Sequence, residues 1–143
     1  MTSRAKCVLV VLLSLLFTLG CMASPYLSMG ATAYEAGEYK RAIAYYTQAI
    51  RLDPNNAVAY NNRGNAYVKF DAYTQAFADF DRAIALDPKL AEAYLNRGYA
   101  HYTLGNYEQA LVDFDEALEL DPYLVGGYLG RGYVYDELAQ YEK

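Results

Sequence analysis

Apolar and polar positions alternate along most of this chain with the period of an amphipathic helix. Between residues 73 and 86 the apolar side chains recur at three- and four-residue steps and form one stripe. That stripe consists of Tyr73, Ala76, Phe77, Phe80, Ala83 and Ile84. Similar patterns predict helices near 25–36, 40–52, 57–70, 74–86, 91–104, 108–120 and 125–138. We therefore expect an all-α protein.

The helical pattern itself repeats every 34 residues. Residues 57–90 align with residues 91–124 without a gap, and the same register extends into the flanking segments 23–56 and 125–143. The positions that recur in the two central units are Tyr60 and Tyr94, Arg63 and Arg97, Gly64 and Gly98, Phe80 and Phe114, and the pairs Asp87-Pro88 and Asp121-Pro122. Proline disfavours helical geometry in the residue before it, so each Asp-Pro pair ends a helix. The chain thus contains three full units and one partial unit.

The residue types and their spacing resemble the tetratricopeptide repeat. The usual form of that repeat has an aromatic residue, then Leu-Gly, then Tyr, and later Ala, an aromatic residue, Ala and Pro. The resemblance covers residues 23–143 and implies a right-handed solenoid of antiparallel helix hairpins, in which each unit packs only on its neighbours. It also implies a protein that holds another protein or peptide, without catalysis.

The chain departs from the repeat by placing arginine where the family has leucine. Arg63, Arg97 and Arg131 occupy that place in successive units. An arginine at a helix interface needs partners, and four aspartates on the second helices can supply them. These are Asp79, Asp81, Asp113 and Asp115. We therefore predict a structural ladder of ion pairs rather than a binding site.

In the tetratricopeptide family the first helices of successive units line a concave groove. Helical spacing places polar and aromatic side chains along that groove here. They are Asn62, Asn65, Asn96, Tyr99, Tyr102 and Tyr133. A side-chain amide offers a donor and an acceptor together, so a row of amides matches the backbone of an extended peptide. The lysine-rich carboxylate clamp of chaperone-binding relatives is absent, which argues against recognition of a free C-terminal carboxylate. A polar surface exposed to solvent, without a ligand, is the alternative interpretation.

Composition excludes several other classes of function. The formal net charge is −5, although both charges in the first twenty residues are positive, and such an acidic chain does not neutralise phosphates. The two cysteines lie near the N-terminus and His101 is the single histidine, so we expect no metal and no cofactor. We interpret His101 as a ring packed between helices. The sequence shows no phosphate loop and no catalytic constellation, so we expect no enzyme.

Residues 1–20 have the pattern of an export signal or membrane anchor: two positive charges, the apolar run 7–19, and then small residues. The sequence FTLGC at 17–21 resembles a bacterial lipobox, in which the cysteine is acylated and becomes the new N-terminus. This resemblance implies lipidation of Cys21, with residues 21–22 at the lipidated end. A plain cleaved signal and an uncleaved anchor are the alternatives.

Two functions remain open from the sequence. The first is an adaptor in the bacterial cell envelope that binds a protein or peptide segment. If the protein is lipidated, its resemblance to Gram-negative lipoproteins implies the outer membrane, since Met22 rather than Asp follows the cysteine. Otherwise it would be periplasmic or anchored in the inner membrane. The second is a self-associating solenoid, or a fragment of a larger repeat protein. Self-association would use the helix in 125–143, where Tyr128, Tyr135 and Leu138 lack a partner helix.

Overall fold

The computed structural model describes residues 23–141, with side chains up to residue 139, and within that range every regular element is a helix. The first helix, α1, covers 23–35. The others are α2 (Tyr39–Leu52), α3 (Ala57–Val68), α4 (Tyr73–Leu86), α5 (Ala91–Thr103), α6 (Tyr107–Leu120) and α7 (Val125–Tyr141). The predicted stack of helix hairpins is confirmed, although α3 ends earlier and α7 ends later than the sequence pattern indicated.

The predicted signal in residues 1–20 and the predicted lipidation site at Cys21 lie outside the described residues. Among the helices that the structure does describe, none combines the length and the apolar character needed to cross a bilayer.

Each hairpin closes through one residue in the left-handed backbone conformation. These residues are Gly37 (φ 75°), Asp71 (φ 55°) and Gly105 (φ 74°), which occupy equivalent places in successive units. Glycine adopts this conformation without steric cost, and aspartate is among the few other residues that tolerate it. The turn therefore keeps the same geometry in all three units even though its residue changes.

Successive hairpins are joined by the aspartate of each Asp-Pro pair. The backbone N–H of each aspartate donates to the helix before it, and its carboxylate accepts from the N–H two residues further on. The carboxylate bonds are Asp53 to Asn55 at 3.2 Å, Asp87 to Lys89 at 3.0 Å and Asp121 to Tyr123 at 3.0 Å. The helix thus ends through aspartate as well as proline, since this carboxylate supplies an acceptor for an N–H just beyond the end of the helix.

The helices of each hairpin approach closely where glycine faces an aromatic ring. Phe80 and Phe114 are fully buried on α4 and α6. A Cβ atom added to Gly64 would lie 2.7 Å from the Phe80 ring, and one added to Gly98 would lie 2.8 Å from the Phe114 ring. The repeated Gly and Phe positions of the sequence therefore form the core of their units by contact across the hairpin.

The direction of curvature follows from which helices touch. Helix α5 packs against both α3 and α7, whereas no Cα atom of the second helix α4 lies within 8 Å of a Cα atom of α6. A stack whose odd-numbered helices are closer together than its even-numbered helices must bend towards the odd-numbered side. We call the side on which α3, α5 and α7 meet the inner face.

Candidate peptide-binding groove

The inner face carries a chain of amide side chains from α3 to α5. Asn96 donates through Nδ2 to Oδ1 of Asn61 at 3.0 Å, and Asn61 donates in turn towards Oδ1 of Asn62 at 3.5 Å. Asn65 lies one turn beyond Asn61 and is half-buried. The predicted residues Asn62, Asn65 and Asn96 thus share one surface, and Asn96 uses part of its bonding capacity to join two units.

Tyrosines continue this surface from α5 to α7. The Tyr99 hydroxyl donates to the carbonyl oxygen of Gly126 at 2.7 Å, so this side chain holds the last unit in place. Desolvation, with a smaller contribution from Tyr133, raises the pKa of Tyr99. The rings of Tyr102 and Tyr133 lie 6.1 Å apart, and Tyr133 remains 48% exposed. The predicted tyrosines therefore divide into one structural residue and an accessible aromatic pair.

The sequence analysis missed Asn61, the most buried member of the groove, with 5% of its surface exposed. A signal for it does exist. The other units have leucine at the equivalent position, namely Leu27, Leu95 and Leu129. A single polar residue among equivalent leucines indicates a buried hydrogen bond, because an unpaired amide there would cost free energy.

The predicted arginine ladder is confirmed. Arg63 binds Asp79 through two hydrogen bonds of 2.7 Å, and Arg97 binds Asp113 with a closest approach of 2.6 Å. Each arginine also reaches back to the preceding unit over the same sequence separation of 16 residues. These contacts are Arg63 to Thr47 at 3.1 Å, Arg97 to Asp81 at 2.7 Å and Arg131 to Asp115 at 3.1 Å. The arginines therefore link neighbouring hairpins through contacts with side chains of the second helices.

The His101 ring is packed as the sequence indicated. It stacks on Phe77 with 4.4 Å between ring centroids, and its Nε2 lies 4.0 Å from a carboxylate oxygen of Asp113. Its Nδ1 is buried and makes no hydrogen bond within the part of the chain that the structure describes. Burial lowers the pKa of His101, partly opposed by the Asp113 carboxylate. In the same described part, no three metal-ligating side chains lie close enough together to hold a metal ion.

These features define a class of protein: an all-α solenoid of hairpins with a polar and aromatic inner face. Models of the tetratricopeptide repeat match residues 91–124 and 56–86, and a further model described as TPR repeat matches residues 30–70 and 72–105. The last of these matches alone covers more than half of the chain. The chain belongs to the tetratricopeptide-repeat family.

Similar proteins include chaperone partners. Hsp70-Hsp90 organizing protein 3 of Arabidopsis thaliana is 41% identical over 46 residues, which make up 32% of this chain and 8% of that relative. The chain therefore corresponds to a small part of this much longer protein.

Two solved structures contain a bound peptide. The first TPR domain of Spaghetti (RPAP3), bound to the HSP90 peptide SRMEEVD, superposes with a TM-score of 0.76 and 31% identity over 82% of this chain and 93% of that one. The second TPR domain of human RPAP3, in complex with the HSP70 peptide SGPTIEEVD, gives a TM-score of 0.74 and 32% identity over 81% and 98%. Proteins of this fold and size thus hold short peptides.

Proposed function

We propose that this protein is a non-catalytic adaptor that holds an extended segment of another protein on its inner face. The observation that carries the proposal is the continuous surface of amides and tyrosines across α3, α5 and α7. It runs from Asn65 to Tyr133 and lies on a fold whose solved relatives hold peptides. Amides suit the backbone of an extended segment, and exposed tyrosine rings supply flat apolar contact.

A photo-crosslinking phenylalanine analogue at position 133 tests this function. The analogue has nearly the shape of Tyr133, whose ring is 48% exposed, so we expect the fold to survive. In cells that express the chain natively, ultraviolet light should join this position to a recurrent partner, to be identified by mass spectrometry. The capture should disappear when Asn65 is also replaced by tryptophan, which would block the groove two units away, on α3.

Tyr123 provides the matched control, because it is 89% exposed and lies in the turn before α7. The same analogue there should not capture the partner. Equal capture at both positions, or no capture at position 133, would contradict binding on the inner face.

The proposal includes export and attachment to the cell envelope through a lipid on Cys21. The support is the pattern of a charged start, an apolar run and the FTLGC sequence. Labelling cells with a tagged fatty acid should mark the protein, and Cys21→Ser should abolish the label and shift the protein out of the membrane fraction. The matched variant Cys7→Ser should keep both, because Cys7 lies inside the apolar run. A labelled Cys21→Ser protein would contradict lipidation at this residue.

A self-associating solenoid is the second candidate, favoured by one specific observation. Tyr128 and Tyr135 on α7 are 55% and 52% exposed. With the crosslinker at position 135, this candidate predicts capture of a second copy of the chain. The adaptor proposal predicts no such product from that position.

A further inference from the structure

The inner face is more acidic where it crosses α7. Asp136 and Glu137 follow Tyr133 by three and four residues, so helical spacing places both beside it. Glu137 is half-buried and Asp136 is exposed. Desolvation and then the charges of Glu137, Tyr133 and Asp136 raise the pKa of Tyr102, in agreement with this placement. The accessible pair of tyrosines is therefore bordered by two carboxylates.

Few cations balance these carboxylates on the inner face. The three arginines of α3, α5 and α7 all pair with aspartates of the second helices. Apart from the paired arginines, the charged residues one turn from the amides and tyrosines are one cation and three carboxylates. The cation is Lys69, directly after α3, and the carboxylates are Glu92, Asp136 and Glu137. Because Lys69 and Tyr133 lie two units apart, this lysine does not neutralise the α7 end.

The aromatic pair adds a second preference for positive charge. The rings of Tyr102 and Tyr133 are inclined by 33°, and the ring centroid of Tyr107 lies 5.9 Å from that of Tyr102. The faces of such rings attract the ammonium of lysine and the guanidinium of arginine. The protein already makes contacts of this kind elsewhere, with Arg63 at 5.6 Å from the Tyr60 ring and Lys40 at 5.6 Å from the Phe70 ring.

We propose that the bound segment carries a lysine or arginine that docks on Tyr102 and Tyr133 next to the carboxylates of Asp136 and Glu137. This inference rests on the proposed function and specifies the chemistry of the partner. It sets this protein apart from the solved relatives above, whose peptides SRMEEVD and SGPTIEEVD both end in an acidic EEVD sequence. Several carboxylates would be repelled at the α7 end of this groove, whereas a basic segment would be attracted.

Selection from a display library of random peptides tests the inference. The full chain is immobilised through its C-terminus in a nonionic detergent, and the peptides retained by it are sequenced. We expect lysine and arginine to be enriched about two- to fivefold over the library. This range is the gain in binding expected from a contact between a cation and an exposed aromatic ring. The enrichment should weaken at high salt, because exposed charges are screened.

The double variant D136N/E137Q should still select peptides but lose the preference for lysine and arginine. The matched variant E108Q/E119Q removes the same number of charges from exposed positions of α6 and should keep it. Acidic or unbiased peptides from the wild-type chain, or an unchanged preference in D136N/E137Q, would overturn the inference while leaving peptide binding intact. If N65W and the wild-type chain retain the same peptides, the groove does not select them, and both the inference and the proposed function fail.

Discussion

Replacing Arg97 with leucine is expected to lower the free energy of unfolding by about 3–5 kcal/mol. Only 4% of the side-chain surface of Asp113 is exposed, and Arg97 is its close ionic partner. Without the guanidinium, the carboxylate would stay buried with only the weak approach of His101 at 4.0 Å. Chemical denaturation monitored by circular dichroism measures the loss. The double variant R97L/D113L should recover most of it, because replacing a whole buried ion pair by apolar residues is often neutral.

Arg131→Leu is the matched control on the same ladder. The partner of Arg131 is Asp115, whose side chain is 57% exposed, so water solvates this carboxylate when the arginine is removed. The change in unfolding free energy should stay within about 1 kcal/mol. Similar losses for Arg97→Leu and Arg131→Leu would show that burial does not determine the strength of the ladder.

Replacing Gly130 with alanine is expected to destabilise the protein by about 1–3 kcal/mol. A Cβ atom at this position would lie 2.5 Å from the Phe114 ring, which is fully buried and also faces Gly98. Because glycine lies against the ring on two helices, the ring has little room to move away. Thermal unfolding measures the effect, and adding Phe114→Leu to Gly130→Ala should cost less than the sum of the two single changes.

Gly132→Ala should change the stability in the opposite direction to Gly130→Ala. Apart from its chain neighbours and the backbone of its own helix, no atom of the described residues lies within 4 Å of a Cβ added to Gly132. Alanine there should stabilise α7 by about 0.5–1 kcal/mol through helix propensity. If Gly130→Ala and Gly132→Ala change stability alike, close packing on Phe114 is not the reason for the glycine at position 130.

This pair of glycines shows where a repeat pattern is incomplete as a guide to packing. Gly132 occupies the place of Gly64 and Gly98 in the pattern, yet within the described residues no aromatic ring lies within 4 Å of a Cβ added there. Gly130 corresponds to Asn62 and Asn96, and the pattern therefore gave no reason to expect close packing there. The contact with Phe114 crosses from one unit to the next and depends on how the hairpins stack.

The candidate groove was only partly predicted, because its contacts also cross from one unit to the next. Helical spacing was enough to place Asn62, Asn65 and Asn96 on one face, because residues three and four apart on a helix are neighbours. It did not indicate that Asn96 bonds to Asn61 or that Tyr99 bonds to Gly126, contacts between residues 35 and 27 positions apart. Whether the groove residues bind a peptide remains a prediction.

The sequence by itself determined the helices, their period and the ends of the hairpins. These features depend on the local apolar spacing, on residues such as Gly105 that allow a left-handed turn, and on the aspartates before proline. The aspartate partners of the arginines could also be predicted from the sequence, since they recur with the repeat. Only the tertiary structure decided how deeply each pair is buried, which side chains join the units, and where carboxylates gather beside Tyr102 and Tyr133. Those properties follow from the angle between successive hairpins, which is set by packing across the whole stack rather than by any one segment.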